Sequence, residues 1–295
     1  MKDFAGVWTA LITPFKNDEI DWEAVEKLVK MQADGGVTGI LVCGTTGESP
    51  TLSEDESLEL IKRVKEMVGE DCYVMAGSGT NSTKKSIERT KKMGDAGADI
   101  LMLVNPYYNK PTQMGLFQHF KAIAESTDKP VLLYNIKGRT GVNIETDTLA
   151  ELAKIENIVG VKEASGDLDQ MKEVIAATDD NFVVLSGDDG LTLELIKMGG
   201  DGVISVASNL IPGKLSEMVE YALMGNMDEA EKMGENLAEM FDQLFVETNP
   251  IPVKFAASLM GLCDLEYRLP MCEPSDGAKK VVKEMCLTYN LLDNE

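Results

Sequence analysis

The sequence predicts an α/β protein built as a (β/α)8 barrel with a C-terminal helical extension. Three observations point there. Eight short runs rich in Val, Ile and Leu recur at intervals of roughly twenty to thirty-five residues, each closing on a small or polar residue. Their hydrophobicity is continuous rather than alternating, which suits strands covered on both faces, as in a parallel sheet. The segments between them repeat apolar residues every three or four positions, the period of a helix that buries one side.

In chain order the runs are Trp8 to Ile12, Gly39 to Cys43, Tyr73 to Ala76, Ile100 to Val104, Val131 to Tyr134, Ile158 to Val161, Phe182 to Leu185 and Val203 to Val206. After the first, Trp22 to Met31 carries the helical period. After the second, Ser53 to Val68 opens with Ser53-Glu54-Asp55-Glu56, a capping-box pattern that marks a helix start. A doubly wound open sheet is the competing architecture. Against it, no G-x-G-x-x-G follows the first run, and Gly77-Ser78-Gly79-Thr80 after the third lacks the last glycine of that pattern. From about Asn226 only helical patterns remain: Asp228 to Val246, Val253 to Leu262 and Ser275 to Leu291, punctuated by Pro250, Pro252 and Pro270. Residues 1–225 are therefore expected to form the barrel, and 226–295 a helical region packed on it without an intervening linker.

The 295 residues hold 28 Lys+Arg against 50 Asp+Glu, a formal charge of −22. That balance argues against nucleic acid or an anionic membrane as partner, while leaving room for a small anionic substrate in a local positive pocket. Met1-Lys2-Asp3-Phe4 lacks the apolar segment of a signal peptide, and no apolar stretch approaches a membrane span. A cytoplasmic location is expected. Cys43, Cys72, Cys263, Cys272 and Cys286 form no C-x-x-C pair and are expected to be reduced and mostly packed. Cys43, beside a candidate loop, is either reactive or filler. The single histidine, His119, rules out a zinc site with several histidines in one chain and is assigned a structural role. No metal and no cofactor is expected.

A barrel of this kind places its site at the C-terminal ends of the strands. Those ends supply Thr13, Gly44-Thr45-Thr46-Gly47-Glu48, Gly77-Ser78-Gly79, Asn105-Pro106-Tyr107-Tyr108, Tyr134-Asn135, Lys162, Ser186-Gly187 and Ser205. Lys162 follows Ile158-Val159-Gly160-Val161, where a buried strand should open into its loop. An amine partly stripped of water there has its charged form disfavoured, and it can form a Schiff base with a ketone. The alternative is a strand-end lysine reaching to solvent. Gly44-Thr45-Thr46-Gly47 is either an anion-binding loop of amides and hydroxyls or a plain turn. Tyr134 should point inward, as a core residue or a proton donor, and its hydroxyl needs a partner. Arg139, on the loop after Tyr134, is either a carboxylate clamp or a surface arginine.

These segments together resemble the dihydrodipicolinate synthase branch of the pyruvate-dependent class I aldolase superfamily, which also includes N-acetylneuraminate lyase. The resemblance runs from about Gly6 to Leu292. It rests on Gly44-Thr45-Thr46-Gly47-Glu48, Pro106-Tyr107-Tyr108-Asn109, Tyr134-Asn135 with Gly138-Arg139-Thr140-Gly141, Gly160-Val161-Lys162-Glu163-Ala164, Ser186-Gly187-Asp188-Asp189 and Asn249-Pro250-Ile251-Pro252-Val253-Lys254. It implies a Schiff base between Lys162 and pyruvate, and a proton relay of Thr45, Tyr134 and Tyr108, the last donated by a neighbouring subunit. It implies that Thr45 and Thr46 hold the pyruvate carboxylate, that Arg139 holds the carboxylate of the incoming aldehyde, and that Gly187 and Ile204 line the site through backbone groups. A homotetramer, a dimer of dimers, is the implied assembly.

Within that superfamily Arg139 favours an amino-acid-like aldehyde. The expected reaction is condensation of pyruvate with L-aspartate 4-semialdehyde on the way to diaminopimelate and lysine. The alternatives are a pyruvate-dependent lyase of a sugar acid (a 2-keto-3-deoxy acid or N-acetylneuraminate), which should not need Arg139, and a non-catalytic sensor, which should not need a proton relay. Two departures stand out. Lys137 occupies the position before Gly138 where the family usually has proline, adding a charge near the acceptor site. In the family's lysine-feedback pocket, matched here by Ser49, Glu54, Asn81, Lys85 and Tyr107, Lys85 stands where lysine-sensitive enzymes tend to carry an acid. Weak or absent feedback is expected.

Overall fold

The computed structural model describes residues 2–70 and 72–292. Met1 and residues 293–295, the ends of the two predicted regions, lie outside the described residues. Among the described residues ten strands occur, in the order β1 (Gly6–Ala10), β2 (Phe15–Lys16), β3 (Glu19–Ile20), β4 (Gly39–Val42), β5 (Tyr73–Gly77), β6 (Ile100–Val104), β7 (Val131–Asn135), β8 (Ile158–Glu163), β9 (Val183–Ser186) and β10 (Gly202–Ser205). Of these, β1 and β4 to β10 close into a parallel TIM-type barrel, with β1 paired to both β10 and β4. Each expected run supplies one barrel strand, and helices alternate with strands around the outside.

Both faces of these strands are buried, which explains their continuous hydrophobicity. The inward-facing set includes Trp8, Met75, Leu132, Leu185 and Ile204. Alternate residues such as Leu133, Val161 and Val184 face the helical layer. Near the N-terminal end of the barrel, Trp8 stacks on Tyr73 at 6.1 Å, and Phe4 meets Tyr73 edge-on at 5.1 Å. A side chain on Gly39, opposite Trp8 in the register, would begin 2.2 Å from the indole. The filled end leaves the polar chemistry to the other rim.

Three local differences from expectation have physical causes. The first strand ends at Ala10 rather than Ile12. Leu11 and Ile12 are buried, but the Ile12 amide donates to the Asn209 side chain at 3.0 Å instead of continuing the ladder. Asn17 and Asp18 adopt positive φ and turn the small β2–β3 hairpin, a two-residue turn that lies outside the eight barrel runs. Strand β8 runs on through Lys162 to Glu163, so Lys162 lies inside a strand and not at its opening into a loop. Glu163 is tolerated there because its carboxylate accepts from the Ser165 amide at 2.7 Å and from Asn135 Nδ2 at 3.0 Å. The capping box forms as written, with Ser53 and Glu56 bonded reciprocally at the start of Glu54–Val68.

The helices Met227–Gln243, Ile251–Leu259 and Asp276–Thr288 follow the barrel. Leu237, Met240, Val253, Phe255, Val282 and Met285 share one core with Val25, Leu28 and Ile61 of the barrel's outer layer. His119 lies within the helix Gln113–Ala124, its Nδ1 2.9 Å from Thr83 Oγ1, and burial lowers its pKa to about 4. It is a neutral packing residue. No helix among the described residues is long and apolar enough to cross a membrane.

One ion pair fastens the C-terminal helices to the rim. Lys254 Nζ lies 2.6 Å from Glu48 Oε1, with both side chains withdrawn from water. Nζ also sits 4.2 Å from the centre of the Phe15 ring. Burial lowers the Lys254 pKa, and Glu48 opposes that shift. Replacing Lys254 by Met leaves the Glu48 carboxylate buried without a counter-charge, and we expect a loss of about 3–5 kcal/mol. The double substitution Glu48→Gln, Lys254→Met should recover a large part of it. Denaturant unfolding of the three proteins measures both effects.

Candidate active site

Strand geometry alone brings the central pair together. Side chains alternate along a strand, so Leu132 and Tyr134 face the barrel interior while Leu133 and Asn135 face outward. On β8 the same rule turns Val161 and Glu163 outward and Lys162 inward. The register pairs Tyr134 with Lys162. Lys162 Nζ consequently lies 4.5 Å from the centre of the Tyr134 ring.

Lys162 is only 6% exposed. Burial lowers its pKa from 10.5 to about 8, Asp189 acts in the opposite direction, and Arg139 adds to the lowering. At pH 7 about one molecule in ten then carries the free amine, against roughly one in three thousand for an ordinary lysine. The stem of Lys162 passes close to Gly187, where a β-carbon would lie 3.0 Å from Lys162 Cε and 2.5 Å from Ala164 Cβ. Gly187 is thus adjacent to the reactive chain because nothing larger fits. Ile204 is fully buried in the same interior cluster.

The Tyr134 hydroxyl is held in its protonated form, its pKa raised to about 12 by burial and moderated by Arg139 and by a hydrogen bond with Thr45. It can donate a proton to an oxygen that becomes negative and recover it afterwards. Asp189 is buried, and its Oδ2 accepts from the Val206 and Ala207 amides at 3.0 Å each. Its pKa is raised by burial, with those hydrogen bonds opposing. In the sequence Asp189 stands out only as the last residue of Ser186-Gly187-Asp188-Asp189. Its bearing on Lys162 depends on the barrel bringing β8 and the β9 loop side by side, which no local pattern shows.

Above this pair lies a cavity of about 340 Å³, walled in part by Thr45, Tyr107, Tyr134, Arg139, Thr140 and Asn249. Lys162, Thr46, Gly187 and Ile204 stand outside that wall. Arg139 lies in the short helix Lys137–Thr140, and its Nη2 donates to the Asn249 carbonyl at 3.2 Å. Asn249 also donates from Nδ2 to Thr46 Oγ1 at 2.9 Å. A residue from the C-terminal region therefore links the threonine loop to the arginine helix. The Asn-Pro-Ile-Pro break between helices was the signal for it, read as punctuation only.

Tyr108 is not brought to this cavity. It is 90% exposed, at φ 74°, and projects away from its own chain. Cys43 does reach the cavity wall, but burial pushes its thiol up to about 11, which removes the reactive thiolate at neutral pH. Among the described residues no group of three or more His, Cys, Asp or Glu side chains is placed to hold a metal ion.

The profile of the Dihydrodipicolinate synthetase family matches residues 3–287 of this chain. The 4-hydroxy-tetrahydrodipicolinate synthase of Syntrophus aciditrophicus (strain SB) is 48% identical over 289 residues, covering 98% of this chain and 99% of that protein. The crystal structure of dihydrodipicolinate synthase from Thermotoga maritima superposes with a TM-score of 0.97 at 44% identity, covering 98% of this chain and 100% of that one. Dihydrodipicolinate synthase from Cyanidioschyzon merolae, crystallised with lysine bound, gives 0.96 at 43% identity over 99% and 100% of the two chains. Whole-chain similarity at this level, joined to a buried lysine beside a tyrosine on adjacent barrel strands, leads to one conclusion: the chain belongs to the dihydrodipicolinate synthetase family.

Proposed function

We propose that this enzyme condenses pyruvate with L-aspartate 4-semialdehyde to give 4-hydroxy-tetrahydrodipicolinate, the committed step toward diaminopimelate and lysine. The observation that carries the reading is the Lys162–Tyr134 pair, an amine with its pKa lowered to about 8 at 4.5 Å from a buried phenol ring, with Arg139 on the wall above. The neutral Lys162 amine attacks the keto carbon of pyruvate, and loss of water leaves an iminium. Its positive charge draws electrons from the methyl group, which loses a proton to give an enamine. The enamine carbon then attacks the aldehyde, and the developing alkoxide takes a proton from the Tyr134 hydroxyl, relayed through Thr45; the amino group carried by the semialdehyde then attacks the restored iminium carbon, closes the ring and expels the Lys162 amine. Thr45 and Thr46 hold the pyruvate carboxylate, and Gly187 and Ile204 present backbone groups to it. Arg139, which has no carboxylate partner among the described residues, is free to bind the carboxylate of the aldehyde.

The relay needs a further phenol, and Tyr108 supplies it to a second copy. Its 90% exposure, beside Tyr107 at 42% and Met114 at 64%, is costly for an isolated chain and suits an interface between copies. The assembly we infer is a homotetramer made from two such dimers. The exposed Cys272 thiol suits a reducing compartment, in keeping with a cytoplasmic enzyme.

Feedback by lysine should be weak. Ser49 and Tyr107 line the cavity, and Asn81 Nδ2 donates to the Tyr107 carbonyl at 3.2 Å. The acid matched to that pocket, Glu54, is already paired with Lys92 at 2.5 Å. A lysine effector would bring its ammonium group toward exposed Lys85 without a free carboxylate to meet it.

Three outcomes test these assignments. With pyruvate and equal concentrations of L-aspartate 4-semialdehyde, N-acetylmannosamine or glyceraldehyde, the purified enzyme should consume pyruvate fastest with the semialdehyde. Arg139→Ala should raise KM for the semialdehyde at least about tenfold, as removal of a charge-assisted bond predicts; preference for a sugar aldehyde would transfer the reading to a sugar-acid lyase. Lysine below about 1 mM, where binding free energy reaches roughly 4 kcal/mol, should leave the initial rate unchanged.

Lys162→Met, in turn, should abolish the borohydride-trapped pyruvate adduct. The unfolded chain holds the Lys162 proton up to about pH 10.5 and the folded chain only to about 8, so folding releases a proton between those values and stability rises with pH across that window. Below pH 8 the buried amine costs about 3 kcal/mol. Lys162→Met should therefore be the more stable protein at pH 7, with the advantage shrinking as pH rises from 8 to 10.5. Matched unfolding curves at several pH values measure it.

A further inference from the structure

The chain has four arginines in a sequence with a formal charge of −22. Two of them are neutralised: Arg63 pairs with Glu59, and Arg268 with Asp18 and Glu56. The other two, Arg89 and Arg139, form no ion pair among the described residues, and both line the same cavity. Arg139 is accounted for by the aldehyde carboxylate. Arg89 is not. It lies on the helix Thr83–Asp95 and reaches the rim at β5, where its Nη2 meets the Gly77 carbonyl at a long 3.4 Å. Its Nε is buried and has no hydrogen-bond partner among the described residues. An orphaned donor on a charged group is costly, and a bound anion removes that cost.

The two guanidiniums enter from different walls. Arg139 acts electrostatically on Tyr134 and Lys162, on β7 and β8, whereas Arg89 acts on Cys43, just past β4, and touches β5. Strands β6 and β7 stand between β5 and β8 in the barrel. The one carboxylate on the cavity wall, Glu48, is already bound to Lys254. Lys85, four residues before Arg89 on the same helix, is exposed and without an ion pair among the described residues, so it adds positive potential on that face. The same wall carries apolar side chains, including Cys43, Met102 and Val104, and Met102 stands opposite Gly77 in the β5–β6 register.

From these observations we infer that the cavity holds a second anion-binding subsite at Arg89, separate from the reacting end at Lys162 and Arg139, and that it takes a small carboxylic acid with an apolar body. On binding, the Arg89 guanidinium turns its buried Nε–H and Nη2–H edge toward the cavity, where the carboxylate bonds it in the two-bond geometry that a guanidinium favours, and the hydrocarbon part lies against Met102 and Val104. This goes beyond the condensation chemistry and does not depend on the identity of the aldehyde.

The test uses 3-methylbutanoate, which has no keto group and so cannot form a Schiff base with Lys162. Calorimetric titration of the intact enzyme should show saturable binding, weakened at least about tenfold in Arg89→Gln and little changed in Arg139→Gln. Equal affinity in Arg89→Gln and the parent, loss in Arg139→Gln alone, or no binding to the parent would each overturn the proposal. A crystal of the unsubstituted enzyme grown with 3-methylbutanoate gives a check independent of any variant. Carboxylate density on the Arg89 guanidinium supports the subsite, and density at Arg139 only, or none, overturns it.

Discussion

The buried pair between Glu48 and Lys254 is the constraint on which the rim of this protein depends. Two opposite charges at 2.6 Å with no water around either can persist only if both are delivered to the same place. Glu48 comes from the loop after β4, in a left-handed conformation at φ 52° that is uncommon for a glutamate. Lys254 comes from the helix Ile251–Leu259, more than two hundred residues later. Joining them seats the chain just before that helix over the barrel mouth. There Asn249 bonds Thr46 on one side and receives Arg139 on the other. The segments between the C-terminal helices, at Asn249, Pro250, Pro270 and Met271, thereby become part of the site wall.

The barrel interior carries a second tension. Its lower part is filled with aromatic and aliphatic side chains, an environment that disfavours charge, and Lys162 is placed in its upper part. The apolar surroundings that lower its proton affinity also make it a destabilising residue. Asp189, pinned by two backbone amides, limits that penalty without removing it. A reactive amine at neutral pH and a fully relaxed core are incompatible demands, and this structure sits between them. The polar residues just outside β7 and β8 follow the opposite rule. Asn105, Asn135, Asn143 and Glu163 bond one another and nearby backbone groups, so burial there brings rigidity.

The distribution of unpaired positive charge gives the cavity its character. In a strongly acidic chain, two of four arginines have no acid partner among the described residues, and both face one space of about 340 Å³. Elsewhere basic side chains such as Lys154, Lys197 and Lys232 find acids within a helical turn. The contrast between Arg63 and Arg268, which are paired with acids, and the two cavity arginines, which have none among the described residues, marks the cavity as a place for anions.

The barrel was legible from the sequence because continuous hydrophobicity and helical period are local consequences of burial on two faces or one. The capping box at Ser53 and the eight strand cores follow from residues a few positions apart. The nature of the residues at the strand ends was legible too, Lys162 and Tyr134 among them. Their partnership was not, because whether two inward side chains meet depends on the register between β7 and β8, set by hydrogen bonds between segments far apart in sequence. The same holds for Asp189 acting on Lys162, for Asn249 joining Thr46 to Arg139, and for Arg89 ending beside Gly77 with an unsatisfied donor. The sequence by itself determined which side chains are present and which way each faces along its own strand. Only closure of the barrel and docking of the C-terminal helices decided which of them share a space, because distance, burial and the loss of water are properties of the packed chain and of no single segment.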